Sequence, residues 1–237
     1  MAPRPPKAHL VKEALLGAVR DLPPGAPVEP ERALAERFGV SRVTVRQAIQ
    51  ELVFEGRLLR IRGRGTFVAR PKVSHPLRLT SYSTDIRESG LRPSSRLLRA
   101  AVVPAAGEVA AALALADGHP VYELERLRLA DGEPMAIETM HLDAARFAGI
   151  DGRLDETASA YDVLRDGYGV ALAGGEAAIE CVLAGPEEAV LLACEPRAPL
   201  LRLTQRSWDG DGAPVEFVRS LYRGDRYRFA TALAPPP

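Results

Sequence analysis

The segment 30–68 constrains the fold of this 237-residue chain most strongly, because it predicts two short helices, a tight turn between them and a basic hairpin. Pro30 suits the first position of a helix, and Leu34 and Phe38 give that helix an apolar face at i, i+4 spacing. After the turn, Ser41 is a good N-cap, since its hydroxyl can accept a hydrogen bond from an amide of the next helix. The pattern is typical of a helix-turn-helix.

The second helix is predicted to end near Glu55, because Gly56 follows. Its apolar residues repeat at helical spacing and are Val45, Ala48, Ile49, Leu52 and Val53. Arg42, Thr44 and Arg46 lie on the opposite face near its start, where a recognition helix contacts DNA. Arginine can donate two hydrogen bonds to guanine, and hydroxyls bind phosphates. We therefore expect Arg42 and Arg46 to contact bases and Thr44 to contact a phosphate.

A basic hairpin is predicted next, with strands at 58–61 and 66–68 around the glycine-rich tip 63–65. The interval 57–72 contains six basic residues and no acidic residue. One interpretation is that a charge run of this kind is merely a solvated surface. Its position directly after a helix-turn-helix favours a wing that enters the minor groove of DNA.

These residues resemble the winged-helix domain of the GntR family of bacterial transcription regulators over about 7–69. The resemblance rests on Glu31-Arg32, on the SRVTVR sequence at 41–46 and on the glycine-flanked hairpin before 66–68. It implies a set of DNA contacts: Arg32, Ser41, Arg42, Thr44, Arg46, Arg64 and Gly65. For Arg32 the alternative is a salt bridge within the domain.

The charge distribution supports two functional parts. Residues 1–72 carry 14 basic and 7 acidic side chains, whereas the whole chain carries 31 of each, so the first part has a formal charge of +7 and the remainder −7. A positive domain suits DNA, and an acidic remainder avoids phosphates. The sequence contains no long apolar run that predicts a membrane span or signal peptide, so we expect a cytoplasmic protein without a membrane partner.

We expect four segments: a disordered N-terminus at 1–6, the winged helix at 7–70, an extended linker at 71–78 and a second domain at 79–234. The prolines at 71 and 76 exclude a continuous helix in the linker. The winged helix should begin with a helix near 7–20 that packs through Leu10, Ala14, Leu15 and Val19. Cys181 and Cys194 are expected to be buried free thiols, and no metal site or cofactor loop is recognisable.

The second domain alternates strands with a few helices. Strands are predicted at 97–103, 121–130, 134–142, 176–183, 200–208, 215–222 and 227–233, and helices at 106–115, 158–165 and 186–193. The Asp-Gly turns at 131–132 and 209–212 indicate hairpins. Hairpins imply an antiparallel sheet with helices packed against it, so the fold class is α+β.

One predicted hairpin carries the candidate ligand site, because strand alternation places Leu124, Arg126 and Arg128 on one face. A three-residue loop would pair Leu124 with Glu138 and bring this carboxylate to the arginine face. A two-residue Asp131-Gly132 turn would send Glu138 to the other face. The alternatives are a polar cluster suited to a phosphate and a sugar, and a charge ladder on the protein surface.

Residues 79–233 resemble the UTRA effector domain of the HutC subfamily, particularly its amino-sugar regulators. The resemblance rests on LTSYSTDI at 79–86, the hairpin at 123–139, SAY at 159–161 and PVEFVRSLYRGDRYRF at 214–229. It implies a chorismate-lyase-like fold, homodimers formed through this domain, and a palindromic operator. The implied effector is N-acetylglucosamine 6-phosphate or glucosamine 6-phosphate.

The resemblance also implies which residues contact the effector. The phosphate contacts would be Ser83, Arg126, Arg128, Ser159 and Tyr161. The sugar contacts would be Glu138, Glu216, Tyr222 and the backbone around Tyr82. The alternatives are that the three tyrosines are core aromatics and that Ser159 only caps a helix.

We therefore predict a transcription regulator, most simply a repressor, whose operator binding depends on a phosphorylated amino sugar. Another phosphosugar or an organic acid is the alternative effector. A lyase-like enzyme is the alternative class, because carboxylates, arginines and His141 are present. The sequence shows no activated nucleophile, metal cluster or cofactor motif, so we expect no enzymatic activity.

Overall fold

A computed structural model describes residues 7–61, 63–69 and 72–231. The expected disordered segment 1–6 and Pro71 of the expected linker lie outside the described residues. The chain divides into two compact units, one up to Lys72 and the other from Val73 onward.

The first unit is built on three helices, α1 at Lys7–Val19, α2 at Glu31–Phe38 and α3 at Arg42–Phe54. The predicted caps are present: Gly39 adopts a left-handed conformation with φ 63°, and the Ser41 hydroxyl accepts from the Thr44 amide at 3.2 Å. The buried core consists of Val11, Leu15, Val19, Leu34, Ala35, Val45, Ala48, Ile49, Leu52 and Leu58. The predicted helix-turn-helix is therefore present.

The buried face of α1 differs from the prediction. Leu10 is 49% exposed and Ala14 is also exposed, whereas Val11 is buried together with Leu15 and Val19. These three residues repeat at i, i+4 and i+8, which is one stripe of a helix. The predicted burial of Leu15 and Val19 is confirmed, whereas that of Leu10 and Ala14 was wrong, because Val11 rather than its apolar neighbour Leu10 lies on the buried stripe.

The wing consists of β1 at Leu58–Ile61 and β2 at Gly65–Val68, paired antiparallel with Ile61 opposite Gly65. The tip of the wing, residues 63–65, carries the exposed Arg64. Gly65 has φ 115°, a conformation that other residues rarely adopt. A bridge from Pro27 to Phe67 adds a further short extended segment, which the sequence pattern did not predict.

The second unit is organised around a six-stranded antiparallel sheet with the spatial order β4-β5-β6-β9-β8-β7. Its strands are β4 at Pro93–Pro104, β5 at Pro120–Ala130, β6 at Glu133–Asp143, β7 at Leu172–Leu183, β8 at Pro199–Asp209 and β9 at Pro214–Arg223. The predicted antiparallel α+β architecture is confirmed.

Helices cover both faces of this sheet, and their bounds are Tyr82–Glu88 for α4, Gly107–Leu113 for α5, Ala160–Tyr168 for α6 and Pro186–Leu191 for α7. A short 3₁₀ helix lies at Asp151–Arg153. Residues of α4 and α6 pack with the sheet face that contains Leu124 and Tyr222, and residues of α5 and α7 pack with the opposite face. The sequence pattern did not predict α4.

Two further strands pair in parallel, β3 at Val73–Pro76 and β10 at Tyr227–Ala230. Part of the expected linker at 71–78 is thus a strand of the second unit, because parallel pairing satisfies its backbone groups.

The two cysteines differ in their exposure. Cys194 is partly buried but Cys181 is exposed, since it lies on the edge strand β7, so its predicted burial was wrong. No helix in the described ranges is long and apolar enough to span a membrane.

Candidate effector site and DNA-binding surface

The β5–β6 hairpin turns through two residues, Asp131 and Gly132, with φ values of 49° and 78°. The three-residue loop and its pairing of Leu124 with Glu138 were therefore wrong. The pairing shifts by one residue beyond the turn, because Met135 is an extra residue in β6, and Arg126 lies opposite Glu138. A bulge of this kind reverses the expected alternation. Glu138 consequently lies on the arginine face, but the cause is the bulge at Met135 rather than the length of the loop.

Two arginines are buried at this face. Arg126 is 1% exposed and Arg128 is 2% exposed. The Nη2 atom of Arg126 donates to Glu138 Oε1 at 2.5 Å, and Arg128 Nε lies 3.9 Å from Glu138 Oε2. One carboxylate therefore lies between two guanidinium groups. Arg126, Arg128 and Glu138 together carry one positive charge in excess.

Both guanidinium groups also have spare donors. Among the described residues, the Nε and Nη1 atoms of Arg126 and of Arg128 have no hydrogen-bond partner. Buried polar groups without partners are costly in free energy, and guanidinium groups bind carboxylate and phosphate oxygens well. This arrangement favours the binding of an anion.

The helix α4 completes this end of the site. Its N-cap Ser81 accepts a hydrogen bond from the Thr84 amide at 3.1 Å. Arg128 stacks over the Tyr82 ring at 4.5 Å, and Arg128 Nη2 lies 3.5 Å from Ser83 Oγ. The predicted contacts Tyr82 and Ser83 are thus brought to Arg128 by a helix.

A second polar group, centred on Glu216, lies at the other end of the site. Glu216 Oε1 accepts hydrogen bonds from the Tyr161 hydroxyl at 2.7 Å, the Ser207 hydroxyl at 3.0 Å and Gln205 Nε2 at 3.2 Å. Its Oε2 atom is buried and has no partner in the described part of the chain. This atom can hydrogen-bond to a ligand.

The two carboxylates of the site have different electrostatics. Burial raises the pKa of Glu216 to about 7, although hydrogen bonds from Tyr161 and Ser207 oppose the shift. Burial would also raise the pKa of Glu138, but the charges of Arg128 and Arg126 outweigh it and lower that pKa. Glu138 is therefore an anion at neutral pH, and Glu216 exchanges between its two forms.

The cavity between these groups has a volume of about 40 Å³. It is lined by His75, Thr80, Ser81, Tyr82, Arg126, Arg128, Glu138, Met140, Ala160, Tyr161, Leu203, Gln205, Glu216, Val218, Ser220 and Tyr222. A water needs roughly 10–15 Å³ by the same measure, so the space holds only a few waters. A ligand as large as a sugar phosphate requires the lining to move.

Seven of the nine predicted effector contacts line this cavity, and Ser83 and Ser159 do not. Ser83 reaches Arg128, whereas Ser159 is the N-cap of α6 and accepts from the Asp162 amide at 3.4 Å. The sequence reasoning missed Gln205, although Leu203, Gln205 and Ser207 alternate along β8 and share its inner face. The roles of all these residues in ligand binding stay predictions.

The predicted DNA contacts lie on an exposed surface of the first unit. Arg42 is exposed at the start of α3, and the Thr44 hydroxyl is 2.9 Å from that of Ser41. Arg32 lies 3.8 Å from Glu36 with both side chains largely exposed, so this salt bridge contributes little to stability. Arg46 instead pairs with Glu31 at 2.9 Å, a contact that the sequence reasoning missed.

Comparisons with known proteins agree with both units. The family model for bacterial regulatory proteins of the gntR family matches residues 9–68, and the UTRA domain matches residues 88–228. The HTH-type transcriptional repressor NagR of Bacillus subtilis is 38% identical, covering 88% of this chain and 86% of its own. The chain belongs to the GntR family.

Another relative resembles this GntR regulator over nearly its full length. The HTH-type transcriptional repressor PhnF of Mycolicibacterium smegmatis is 38% identical, covering 98% of this chain and 94% of its own. The crystal structure of PhnF from Mycobacterium smegmatis has a TM-score of 0.70 at 36% identity, covering 95% of this chain and 100% of that chain. These relatives are named transcriptional regulators, so the GntR protein is a DNA-binding regulator of the HutC type rather than an enzyme.

The buried Glu216 predicts a pH-dependent stability of this GntR protein. Its pKa is about 7 when folded against an ordinary 4.5, so the folded state binds more protons between these values and its stability falls as pH rises through this window. The loss reaches about 3 kcal/mol above pH 7. Glu216→Gln should remove it. Urea unfolding at pH 5 and pH 8 measures the difference through Trp208, the chain's one tryptophan.

The matched control is Glu180→Gln, which removes an exposed carboxylate that pairs with Arg202 in the same sheet. This control should keep the pH dependence of the original protein. Equal pH dependence in the original protein and in Glu216→Gln would contradict the raised pKa.

Proposed function

We propose that this protein is a cytoplasmic transcriptional repressor whose operator affinity falls when a phosphorylated amino sugar binds to the second unit. N-acetylglucosamine 6-phosphate and glucosamine 6-phosphate are the candidate effectors. The observation that carries the proposal is the buried excess of cationic donors at Arg126 and Arg128, which share the single carboxylate Glu138. A phosphate supplies both the missing charge and several acceptor oxygens.

The opposite end of the cavity suits the sugar. Tyr161, which the resemblance assigns to the phosphate, instead forms one hydrogen-bonded group with Gln205 and Glu216 at this end, and Glu216 Oε2 has no partner among the described residues. Such a group can accept from, or donate to, a hydroxyl or amide of a sugar. The choice of an amino sugar rests on the resemblance to the amino-sugar regulators and on the similarity to NagR.

A second candidate keeps the same regulator and changes its effector to another phosphosugar or to an organic acid. The observation that favours it is that PhnF, a repressor of another name, is as identical to this chain as NagR is, at 38%, so sequence identity does not single out NagR. Both candidates use the same arginine pair, because a carboxylate and a phosphate bind guanidinium groups in similar ways.

The effector signal would pass through α4. Asp85 in this helix accepts from the Thr80 hydroxyl at 2.8 and 2.9 Å, and its Oδ2 lies 2.6 Å from His75 Nδ1. His75 belongs to β3, which begins one residue after the first unit ends. A ligand that draws Tyr82 and Ser83 toward its phosphate would move α4, and through Asp85 would shift β3.

We further propose that the protein acts as a homodimer on a palindromic operator. Two winged helices would then contact half-sites whose separation is fixed by the dimer. A shift of β3 in each subunit would alter the separation of the two winged helices and lower operator affinity, which is a coupling between two distinct sites. This scheme links the anion site to DNA without any contact between effector and DNA.

The experiment is a gel-shift titration on a duplex that the protein itself enriches from a random library. We expect either N-acetylglucosamine 6-phosphate or glucosamine 6-phosphate to lower operator affinity about fivefold or more, as allosteric coupling typically does. The unphosphorylated sugars should have no effect at the same concentration. Unchanged operator affinity with both phosphates would exclude these two effectors, and release by another phosphosugar or a carboxylate would support the second candidate.

Two substitutions should separate DNA binding from effector binding. Arg42→Ala should lower operator affinity about tenfold or more and leave effector affinity intact, because Arg42 is exposed on α3. Arg128→Met should lower effector affinity by a similar factor, because one charged hydrogen-bond partner of the phosphate is lost. It should leave operator affinity intact, because Arg128 belongs to the second unit. Arg128→Met also preserves the Arg126–Glu138 pair.

Calorimetry for the effector and fluorescence anisotropy for the operator measure the two affinities. The assignment of the anion site would fail if Arg128→Met bound the effector as tightly as the original protein. The assignment of the recognition helix would fail if Arg42→Ala kept full operator affinity.

A further inference from the structure

The acidic side chain of Glu31 lies between two arginines of the first unit, Arg46 and Arg60. Glu31 is the first residue of α2, and its side chain is only 14% exposed. Its Oε2 accepts from Arg46 Nε at 3.1 Å and from Arg46 Nη2 at 2.9 Å, and its Oε1 accepts from Arg60 Nη2 at 2.9 Å. The carboxylate thus joins α2, α3 and the wing strand β1.

A carboxylate at this position is unfavourable for plain affinity, because it repels DNA phosphates. The nearby cations nevertheless stabilise it: the hydrogen bond from Arg46, which outweighs burial, and the charges of Arg46 and Arg60 lower the pKa of Glu31. Its negative charge is therefore kept at every physiological pH. The role of Glu31 therefore lies in how it positions Arg46 and Arg60.

The contact between Arg46 and Glu31 uses one edge of the guanidinium group. A guanidinium group has two edges that can donate a pair of parallel hydrogen bonds, one formed by Nε and Nη2 and one formed by Nη1 and Nη2. Glu31 occupies the first edge. Among the described residues, Arg46 donates hydrogen bonds only to Glu31, so its second edge can donate to the two acceptors of a guanine. Arg46 is about half exposed, so this free edge can reach a ligand outside the unit.

We propose that Glu31 is a positioning residue for base recognition, which fixes the side chain of Arg46 so that its free edge meets a guanine. Its second oxygen holds Arg60 and so ties the wing to the same carboxylate. An arginine held in this way loses less conformational freedom on binding its base, and it is not free to turn toward phosphates of unrelated DNA. The proposal rests on the proposed role of Arg46 as a base contact.

The test compares Glu31→Gln with Glu29→Gln in the full chain without effector. Glu29 is the matched control, because it accepts from Arg37 Nη1 at 2.7 Å in the same unit and its loss removes the same charge. Anisotropy measures affinity for the enriched duplex and for an unrelated duplex of equal length. Both variants should bind the unrelated duplex slightly and equally more tightly. Only Glu31→Gln should bind the enriched duplex about tenfold more weakly.

A second measurement separates positioning from a general structural role. Selection from the random library is repeated with Glu31→Gln, which should relax the preference for one guanine in each half-site and preserve the other positions. In an Arg46→Ala background, Glu31→Gln should no longer weaken binding to the enriched duplex. Equal behaviour of Glu31→Gln and Glu29→Gln, or a uniform loss of preference at all positions, would overturn the proposal.

The same series distinguishes this proposal from the role of Arg46 itself. If Arg46→Ala keeps the guanine preference, Arg46 is not a base contact, and the proposed function must be revised before Glu31 is considered. If Arg46→Ala loses the preference but Glu31→Gln retains it, only the role of Glu31 fails.

Discussion

The second unit depends on a buried ion pair that is incomplete. Arg126 and Glu138 lie opposite each other on buried positions of the central strands, and Arg128 adds a second guanidinium with no carboxylate of its own. Burial of an unbalanced charge costs several kcal/mol, so a fold that served only stability would favour apolar residues here. Under the proposed function, an entering anion would reduce this cost. The fold would then give up some stability in the free protein in return for a binding site.

The elements around this charge explain how occupancy could be transmitted. Tyr82 and Ser83 of α4 both contact Arg128 of β5, Tyr82 through its ring and Ser83 through its hydroxyl. Asp85, about one turn later in α4, contacts His75 of β3. The cavity holds only a few waters, so under the proposed function the binding of a sugar phosphate would require a movement of the lining, to which α4 contributes Tyr82. In the DNA-binding unit, a carboxylate again positions an arginine, because the hydrogen bond to Glu31 fixes the direction of the Arg46 side chain.

Sequence patterns predicted most of the fold because its signals are local. Ser41 and Gly39 mark helix ends, and alternation along β5 placed Arg126 and Arg128 on one face, whereas Glu216 was identified through the resemblance to the UTRA domain. The bulge at Met135 was not predictable, because it depends on pairing between strands rather than on composition. The same applies to α4, whose seven residues carry too weak a periodicity. Contacts between distant segments, such as Gln205 with Glu216, have no signal in one sequence.

A crystal structure of the full chain grown with glucosamine 6-phosphate or N-acetylglucosamine 6-phosphate tests the proposed anion site most directly. The proposed function predicts a phosphate whose oxygens accept from the Nε and Nη1 atoms of Arg126 and Arg128 that lack partners among the described residues. It also predicts that α4 is displaced to enlarge the cavity. A ligand bound elsewhere, with both guanidinium groups still without an anion, would contradict the central claim.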